Sequence, residues 1–66
     1  MDEEWNELSN DNEPEIEQHI EFKLYDGSLY TGVMLYDDID RKEHYFMSDE
    51  GYAFSYEDVI EWRELQ

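Results

Sequence analysis

Residues 20–38 read IEFKLYDGSLYTGVMLYDD, and this stretch decides the fold. In its first part Ile20, Phe22 and Leu24 alternate with charged or amphipathic residues, which is the period of a half-buried β-strand. Residues 26–28 (Asp-Gly-Ser) then supply turn chemistry, because Asp can bond its own backbone and Gly tolerates a positive φ. The stretch therefore predicts a β-hairpin.

The second strand of this hairpin is predicted to bend. It runs from Leu29 to Tyr36 and is rich in residues that favour strands, but Gly32 interrupts it. A lone glycine inside a strand marks a bulge, a bend or a close approach of two backbones. A hairpin with such a bend is how a small barrel begins to curl, so we expect a mainly β fold.

The rest of the chain supplies further strands and an acidic N-terminal segment. Strands are predicted at about 16–25, 29–36, 43–48, 52–55 and 59–64, with one 3₁₀ turn at 56–58. Residues 1–15 are interpreted as an acidic tail, or as a short helix with Trp5 and Leu8 along one edge. Residues 16–66 are assigned to one small domain, and together these elements predict a five-stranded SH3-like barrel.

Part of the hairpin resembles the first sequence motif of Sm-like proteins. Gly27, Tyr30, Gly32 and Asp38 stand where that motif has a turn glycine, an aromatic or apolar residue, a second glycine and an aspartate. The resemblance implies a five-stranded Sm-like barrel preceded by a helix. The family's second motif places a basic residue and a glycine before the last strand, and residues 52–58 do not match it. We therefore carry over the barrel and not the RNA binding.

Charge is the strongest signal in the composition. Twenty Asp and Glu residues face four Lys and Arg residues, which gives a formal net charge of −16. Direct binding of DNA or RNA is not expected, because such a protein must neutralise phosphates. The chain also lacks an apolar run long enough to span a bilayer and a signal-peptide pattern, and anionic lipid repels acidic surfaces. We therefore expect a cytoplasmic protein that binds neither nucleic acid nor membranes.

The sequence gives no pattern for an enzyme, a cofactor or a metal. It has no cysteine, no nucleophile-elbow pattern around a serine and no phosphate-binding glycine loop. His19 and His44 lack the further ligands that zinc requires, and Asp37, Asp38 and Asp40 do not follow the EF-hand spacing. Paired carboxylates occur in any chain this acidic, so they do not indicate acid–base catalysis. We predict no catalytic residue, no cofactor and no metal.

The carboxylates of the barrel region fall into three clusters, in the loop after the second strand, in the next turn and around the last turn. These candidate partner-binding residues are Asp37, Asp38, Asp40 and Glu43; Asp49 and Glu50; and Glu57, Asp58 and Glu61. Duplex DNA carries one negative charge per about 1.7 Å of its axis, and a rigid domain studded with carboxylates presents a similar field.

In charge and size the chain resembles the DNA-mimic inhibitors of phages and mobile elements, which include anti-restriction, anti-CRISPR and glycosylase-inhibitor proteins. This resemblance implies a basic nucleic-acid-binding protein as the partner, for example a host defence nuclease, a restriction enzyme or a CRISPR effector. The inhibitor would act as a monomer or homodimer in the host cytoplasm if a phage encodes it.

Two other functions fit the same sequence. The first is a small SH3- or Sm-like adaptor that binds proteins through an aromatic patch. Its candidate residues are Tyr30, Tyr45, Tyr52 and Tyr56, which could surround a methylated lysine or arginine or pack in the core. The second is an antitoxin or immunity protein for a basic nuclease, which shares the electrostatics of the inhibitor and differs in its target.

The net charge predicts that salt stabilises the fold. Repulsion among the carboxylates destabilises the compact state and is screened by ions, so the melting temperature should rise as NaCl increases from about 0.01 to 0.15 M. The same repulsion is expected to raise folded-state carboxyl pKa values, so that mild acidification also stabilises the domain. A melting temperature indifferent to NaCl, followed by circular dichroism, would show that repulsion does not govern stability.

Overall fold

The computed structural model describes residues 5–65, which form one antiparallel sheet of six strands. The strands are β1 (Asn6–Glu7), β2 (Ile20–Leu24), β3 (Leu29–Asp37), β4 (Glu43–Ser48), β5 (Ala53–Ser55) and β6 (Val59–Glu64). A 3₁₀ helix, Tyr56–Asp58, separates β5 from β6, and the order across the sheet is β1-β6-β2-β3-β4-β5. The predicted mainly β class is confirmed, with one strand more than the sequence indicates. Within residues 5–65 no helix is long and apolar enough to cross a membrane.

The predicted strand at 16–25 is shorter in the structure because the chain turns before it. Glu17 has a positive φ of 70°, and its N–H donates to the Met34 carbonyl at 3.0 Å. Ile16 forms an isolated parallel bridge with Met34. These contacts hold the segment across β3, and regular pairing begins at Ile20.

Gly32 divides the long strand β3 between two neighbours. Residues before it pair with β2, from Ile20 opposite Gly32 to Lys23 opposite Leu29, whereas β4 pairs with the part from Gly32 to Asp37. A Cβ on Gly32 would press against the Met47 carbonyl and lie 2.7 Å from Ser48 Cα. The strand can therefore approach β4 this closely only because residue 32 has no side chain.

The sheet coils strongly, as contacts between distant strands show. The rings of Phe22 on β2 and Phe54 on β5 have centroids 5.9 Å apart, although β3 and β4 lie between these strands. Three strand spacings in a flat sheet would separate them by about 14 Å. The coiled sheet encloses a small core whose buried residues are Ile20, Phe22, Leu24, Met34, Phe46, Val59 and Trp62.

The segment before β2 packs on the sheet, and residues 5–15 contain no helix. In this segment, which the sequence allows to be a short helix, Asn6 and Glu7 instead pair with β6. The Leu8 N–H also donates to the Ile60 carbonyl at 3.0 Å. The free edge of β6 satisfies these backbone groups, which outweighs the helix-forming tendency of a short acidic segment. The Trp62 indole Nε1–H also donates to the Asn12 carbonyl at 3.1 Å and holds the segment in place.

A register shift in β6 changes which side chains enter the core. Simple alternation predicts that Ile60 and Trp62 share a face, but the pairing with β2 shifts between Lys23 and Leu24. As a result Val59 and Trp62 are buried and Ile60 is exposed. One extra residue in a strand produces this change, because a bulge shifts the side-chain alternation by one position.

The contact at Gly32 predicts that Gly32→Ala destabilises the domain by about 3 kcal/mol or more, because backbone of β4 occupies the position of the added Cβ. Gly27→Ala is the control: its Cβ meets no atom within 4 Å, and only the positive φ of 91° opposes it. That variant should lose about 1–2 kcal/mol. If urea unfolding gave the two variants equal losses of unfolding free energy, the close approach of β3 and β4 at Gly32 would be contradicted.

Candidate acidic interaction surface

Asp37, the last residue of β3, shapes the β3–β4 loop. Its Oδ1 accepts hydrogen bonds from the backbone N–H groups of Ile39 and Asp40, at 3.1 and 3.2 Å. These bonds, that of Ile39 first, lower the pKa of the Asp37 carboxyl below its ordinary value of 3.8. The side chains of Asp38 and Asp40 are exposed and form no hydrogen bond or ion pair with residues 5–65. Asp37 thus orders the loop, and the carboxylates that follow it face solvent.

Asp49 plays a similar part in the β4–β5 turn. Its Oδ2 accepts a hydrogen bond from Thr31 Oγ1 at 2.8 Å and lies 2.9 Å from His19 Nε2. The bonds with His19 and Thr31 lower the pKa of the Asp49 carboxyl. Glu50 beside it is exposed, with no ion pair among the described residues. In both connections the first acid forms hydrogen bonds, with backbone N–H groups at Asp37 and with side chains at Asp49, and the next acid faces solvent.

Repulsion is expected to raise carboxyl pKa values, but three carboxyl groups have lowered pKa values instead. Asp26 accepts a hydrogen bond from the Ser28 N–H at 3.0 Å, which lowers its pKa as the corresponding bonds do for Asp37 and Asp49. Short, directed hydrogen bonds prevail over repulsion that water and ions screen. At these three positions acidification weakens the fold.

The third predicted cluster is divided by the sheet. Glu57 is exposed in the 3₁₀ helix, and Asp58 is half-buried with its carbonyl accepting the Tyr25 N–H at 3.0 Å. Glu61 lies in β6, where its Oε1 is 3.1 Å from Lys23 Nζ. Because a lysine compensates its charge, Glu61 differs from the exposed loop carboxylates.

Lys23 and Glu61 belong to a surface of β2 and β6 that we call the paired face. Its members are Trp5, Glu21, Lys23, Glu61 and Arg63. Arg63 Nη2 contacts Glu21 Oε1 at 2.6 Å, and the register places these residues directly opposite each other. Lys23 and Arg63 also lie over the Trp5 ring, 4.7 and 4.5 Å from its centroid. Two of the four cations of the chain are therefore held on this face.

Outside the paired face, the carboxylates of residues 5–65 have few cationic partners. Three of the 20 lie in residues 2–4, and of the 17 in the described residues only three contact a lysine or arginine. Arg41 lies 3.4 Å from Glu43, and Lys42 forms no ion pair with residues 5–65. The negative charge of the domain thus resides mainly in its loops and turns.

The structure brings Glu43 and Glu57 to one groove of about 420 Å³, which we call the aromatic–acidic groove. Its lining residues are Asn10, Glu13, Tyr36, Lys42, Glu43, His44, Tyr56 and Glu57. Tyr36 and His44 are register partners on β3 and β4 with ring centroids 5.0 Å apart, and Tyr56 lies 6.2 Å from His44. The groove therefore combines carboxylates from three parts of the chain with three aromatic rings.

Sequence reasoning missed several members of this groove. A signal existed for Tyr36 and His44, because each lies near the end of a predicted strand that flanks the β3–β4 loop. No local signal existed for Glu13, which meets Tyr56 across 43 residues of sequence. The predicted clusters also separate Glu43 from Glu57, since proximity in sequence was the criterion.

The four tyrosines considered for an aromatic cage do not converge. Tyr30 packs beside the core with its ring 6.3 Å from that of Tyr52, whereas Tyr56 packs against Phe46 at 6.2 Å. Among residues 5–65 no ring contact joins Tyr45 to the other three. Searching the described residues for three or more His, Cys, Asp or Glu that could hold a metal ion finds no such group.

Comparisons with known proteins give no assignment of family. No protein-family model, no curated protein and no solved structure matches the chain.

The hydrogen bonds of Asp49 predict a pH-dependent contribution to stability. Because its folded-state pKa is lowered, the contribution is fully present above the ordinary value of 3.8 and is lost as pH falls through the lower value. Asp49→Ala should therefore melt below the wild type at about pH 7, and the gap should narrow towards about pH 3. Glu50→Ala, which removes the same charge from the same turn, is the control. Identical melting profiles of the two variants would show that the network does not stabilise the turn.

Proposed function

We propose that this protein inhibits a nucleic-acid-binding protein by occupying its basic groove with exposed loop carboxylates, as a substitute for DNA. The observation that carries the proposal is the separation of charge. Lys23 and Arg63 are confined to the paired face, while Asp38, Asp40 and Glu50 are exposed and have no ion pair among the described residues.

Unpaired charge in loops is suited to a charged partner. Asp38, Asp40 and Glu50 form no ion pair with residues 5–65, and a net charge of −16 steers a basic partner over a long range at low salt. Asp37 bonds the backbone of its loop and Asp49 bonds the side chains of Thr31 and His19, so the acids beside them are presented without a large ordering cost on binding. The surface that we propose consists of Asp38, Asp40, Glu43, Glu50, Glu57 and Asp58, supported by Asp37 and Asp49.

We also propose that the sheet is an SH3-like barrel of the small, Sm-like kind. The order of the strands supports this proposal. Strands β2 to β5 form an antiparallel meander, and the last strand, β6, returns beside β2. The close contact of Phe22 with Phe54, the close approach of β3 to β4 at Gly32 and the 3₁₀ turn before β6 agree with such curling. A barrel would fix the loops on a rigid frame, which mimicry of a rigid duplex requires.

An adaptor function is a second candidate, favoured by exposed apolar side chains. Tyr25, Leu29 and Tyr52 are exposed by 71%, 50% and 58%, and large side chains of this kind anchor protein interfaces. An adaptor would hold its partner by apolar contacts, which salt does not weaken. Salt dependence therefore separates the two candidates, and an immunity protein would differ from the inhibitor in the identity of its partner.

The proposal predicts that removing exposed loop charges weakens the complex. The immobilised protein should retain nucleic-acid-binding proteins from a bacterial lysate and release them as NaCl rises. Asp38→Asn combined with Asp40→Asn should lower the affinity for a recovered partner by about two- to thirtyfold, given about 0.2–1 kcal/mol for each exposed pair. Asp37 is left intact, because it orders the loop.

Glu7→Gln combined with Glu64→Gln is the matched control, since it removes two exposed charges from β1 and β6 and leaves the loop unchanged. This control should bind within about twofold of the wild type if position matters. Equal weakening by both pairs would mean that only total charge matters. Retained partners that resist high salt would contradict mimicry and favour the adaptor.

A further inference from the structure

We propose that the aromatic–acidic groove receives one arginine side chain of the basic partner and thereby anchors the complex. This inference rests on the proposed function, because it names the group that such a partner would insert. It assigns to the groove a role distinct from that of the exposed loop acids, which attract the partner over a distance.

The charges of the groove favour a cation. Glu13, Glu43 and Glu57 contribute three carboxylates to its lining, and Lys42 contributes one ammonium group. The lining therefore has two negative charges in excess. A cationic side chain meets favourable charge at this position, whereas an anionic or neutral side chain does not.

The rings of the groove favour a flat cation. Tyr36 and His44 lie on the same side of the sheet as the buried residues Met34 and Phe46, so the groove continues the core face outward. Tyr36 is 47% exposed, which leaves it accessible to a ligand. A guanidinium stacks on aromatic faces and binds carboxylates through two parallel N–H groups, and an ammonium does neither as well.

Glu13 is held in position for such a ligand. The Tyr56 hydroxyl donates to Glu13 Oε2 at 2.8 Å, and Glu13 Oε1 forms no hydrogen bond with residues 5–65. Burial, followed by the hydrogen bond to Glu13, raises the pKa of Tyr56 from 10.0 to about 12, so its hydroxyl remains a donor well above neutral pH. The groove therefore presents a fixed carboxylate oxygen beside an aromatic ring.

The chain uses this same combination within its own fold. On the paired face Arg63 lies 4.5 Å from the centroid of the Trp5 ring while its guanidinium contacts the Glu21 carboxylate. The groove offers a tyrosine ring and glutamates in the corresponding roles. In the proposed complex the partner supplies the arginine that Arg63 supplies internally.

The first experiment uses the isolated protein and needs no partner. N-acetyl-arginine amide is titrated while NMR follows the ring protons of Tyr36, His44 and Tyr56. These resonances should shift together, and N-acetyl-lysine amide should bind about threefold more weakly. The neutral isostere N-acetyl-citrulline amide should cause no shift. Equal binding of the lysine or citrulline compound would overturn the assignment.

Variants separate the groove from the general negative field. Tyr36→Thr and Glu57→Gln should each weaken binding of the arginine compound about two- to fivefold. Tyr25→Thr, at an exposed turn residue outside the groove, should leave it unchanged. Equal loss in all three variants would contradict a localised site. If Tyr36→Thr disturbs β3, Glu57→Gln still tests the groove.

The same variants in partner capture distinguish failure of this inference from failure of the proposed function. If Tyr36→Thr and Glu57→Gln retain the partner fully while the Asp38 and Asp40 double variant loses it, the loop surface binds and the groove is not its anchor. If none of these variants loses the partner, the proposed function fails as well. If the groove variants and the loop variant all weaken partner binding, the result supports both the arginine site and the proposed function.

Discussion

The missing side chain at Gly32 lets β3 press its backbone against β4, and the rest of the fold follows from that contact. Its first part pairs with β2 and its second part with β4, and Gly32 is the residue that both pairings share. The sheet then coils until Phe54 of β5 touches Phe22 of β2. A chain of 66 residues can bury few side chains, so coiling one sheet around an aromatic centre is an efficient way to form a core.

The acidic residues on this frame divide by what each carboxylate contacts. One kind is structural: Asp26, Asp37 and Asp49 accept hydrogen bonds that shape turns, and Glu21 and Glu61 hold Arg63 and Lys23. The other kind is exposed in loops: Asp38, Asp40 and Glu50 form no ion pair with residues 5–65, although Arg41 and Lys42 lie in the same loop as the two aspartates. The fold thus holds Lys23 and Arg63 on the paired face, while the other two cations, Arg41 and Lys42, lie in the β3–β4 loop among more carboxylates than they can balance.

The sequence reveals those features that depend on local pattern. Alternation identifies Ile20, Phe22 and Leu24 as core residues, and the lone Gly32 marks the close approach, because both are visible within a few positions. Nonlocal contacts are not visible in this way. The pairing of β1 with β6 depends on a free edge elsewhere in the fold, and the register shift in β6 buries Val59 in place of Ile60.

The same limit applies to the candidate surface. The three predicted clusters contain most of the exposed loop acids, since acids in loops project without disturbing the core. They also include Glu61, whose charge Lys23 compensates through a cross-strand pairing that becomes apparent only when β6 is placed beside β2. Glu13 joins Glu43 and Glu57 only after folding brings residues 10–13 beside β4 and the 3₁₀ helix. The charge of each residue is therefore predictable from the sequence. Which distant residues meet at one site becomes visible only with the topology of the sheet.

Displacement by DNA tests the account most directly. A partner recovered on the immobilised protein is purified, and its binding is measured by titration with duplex DNA at several NaCl concentrations. We expect DNA and this protein to exclude each other from the partner, with both affinities falling steeply as salt rises. A ternary complex of partner, DNA and protein, or an affinity that salt leaves unchanged, would contradict the central claim that the loop carboxylates take the place of DNA.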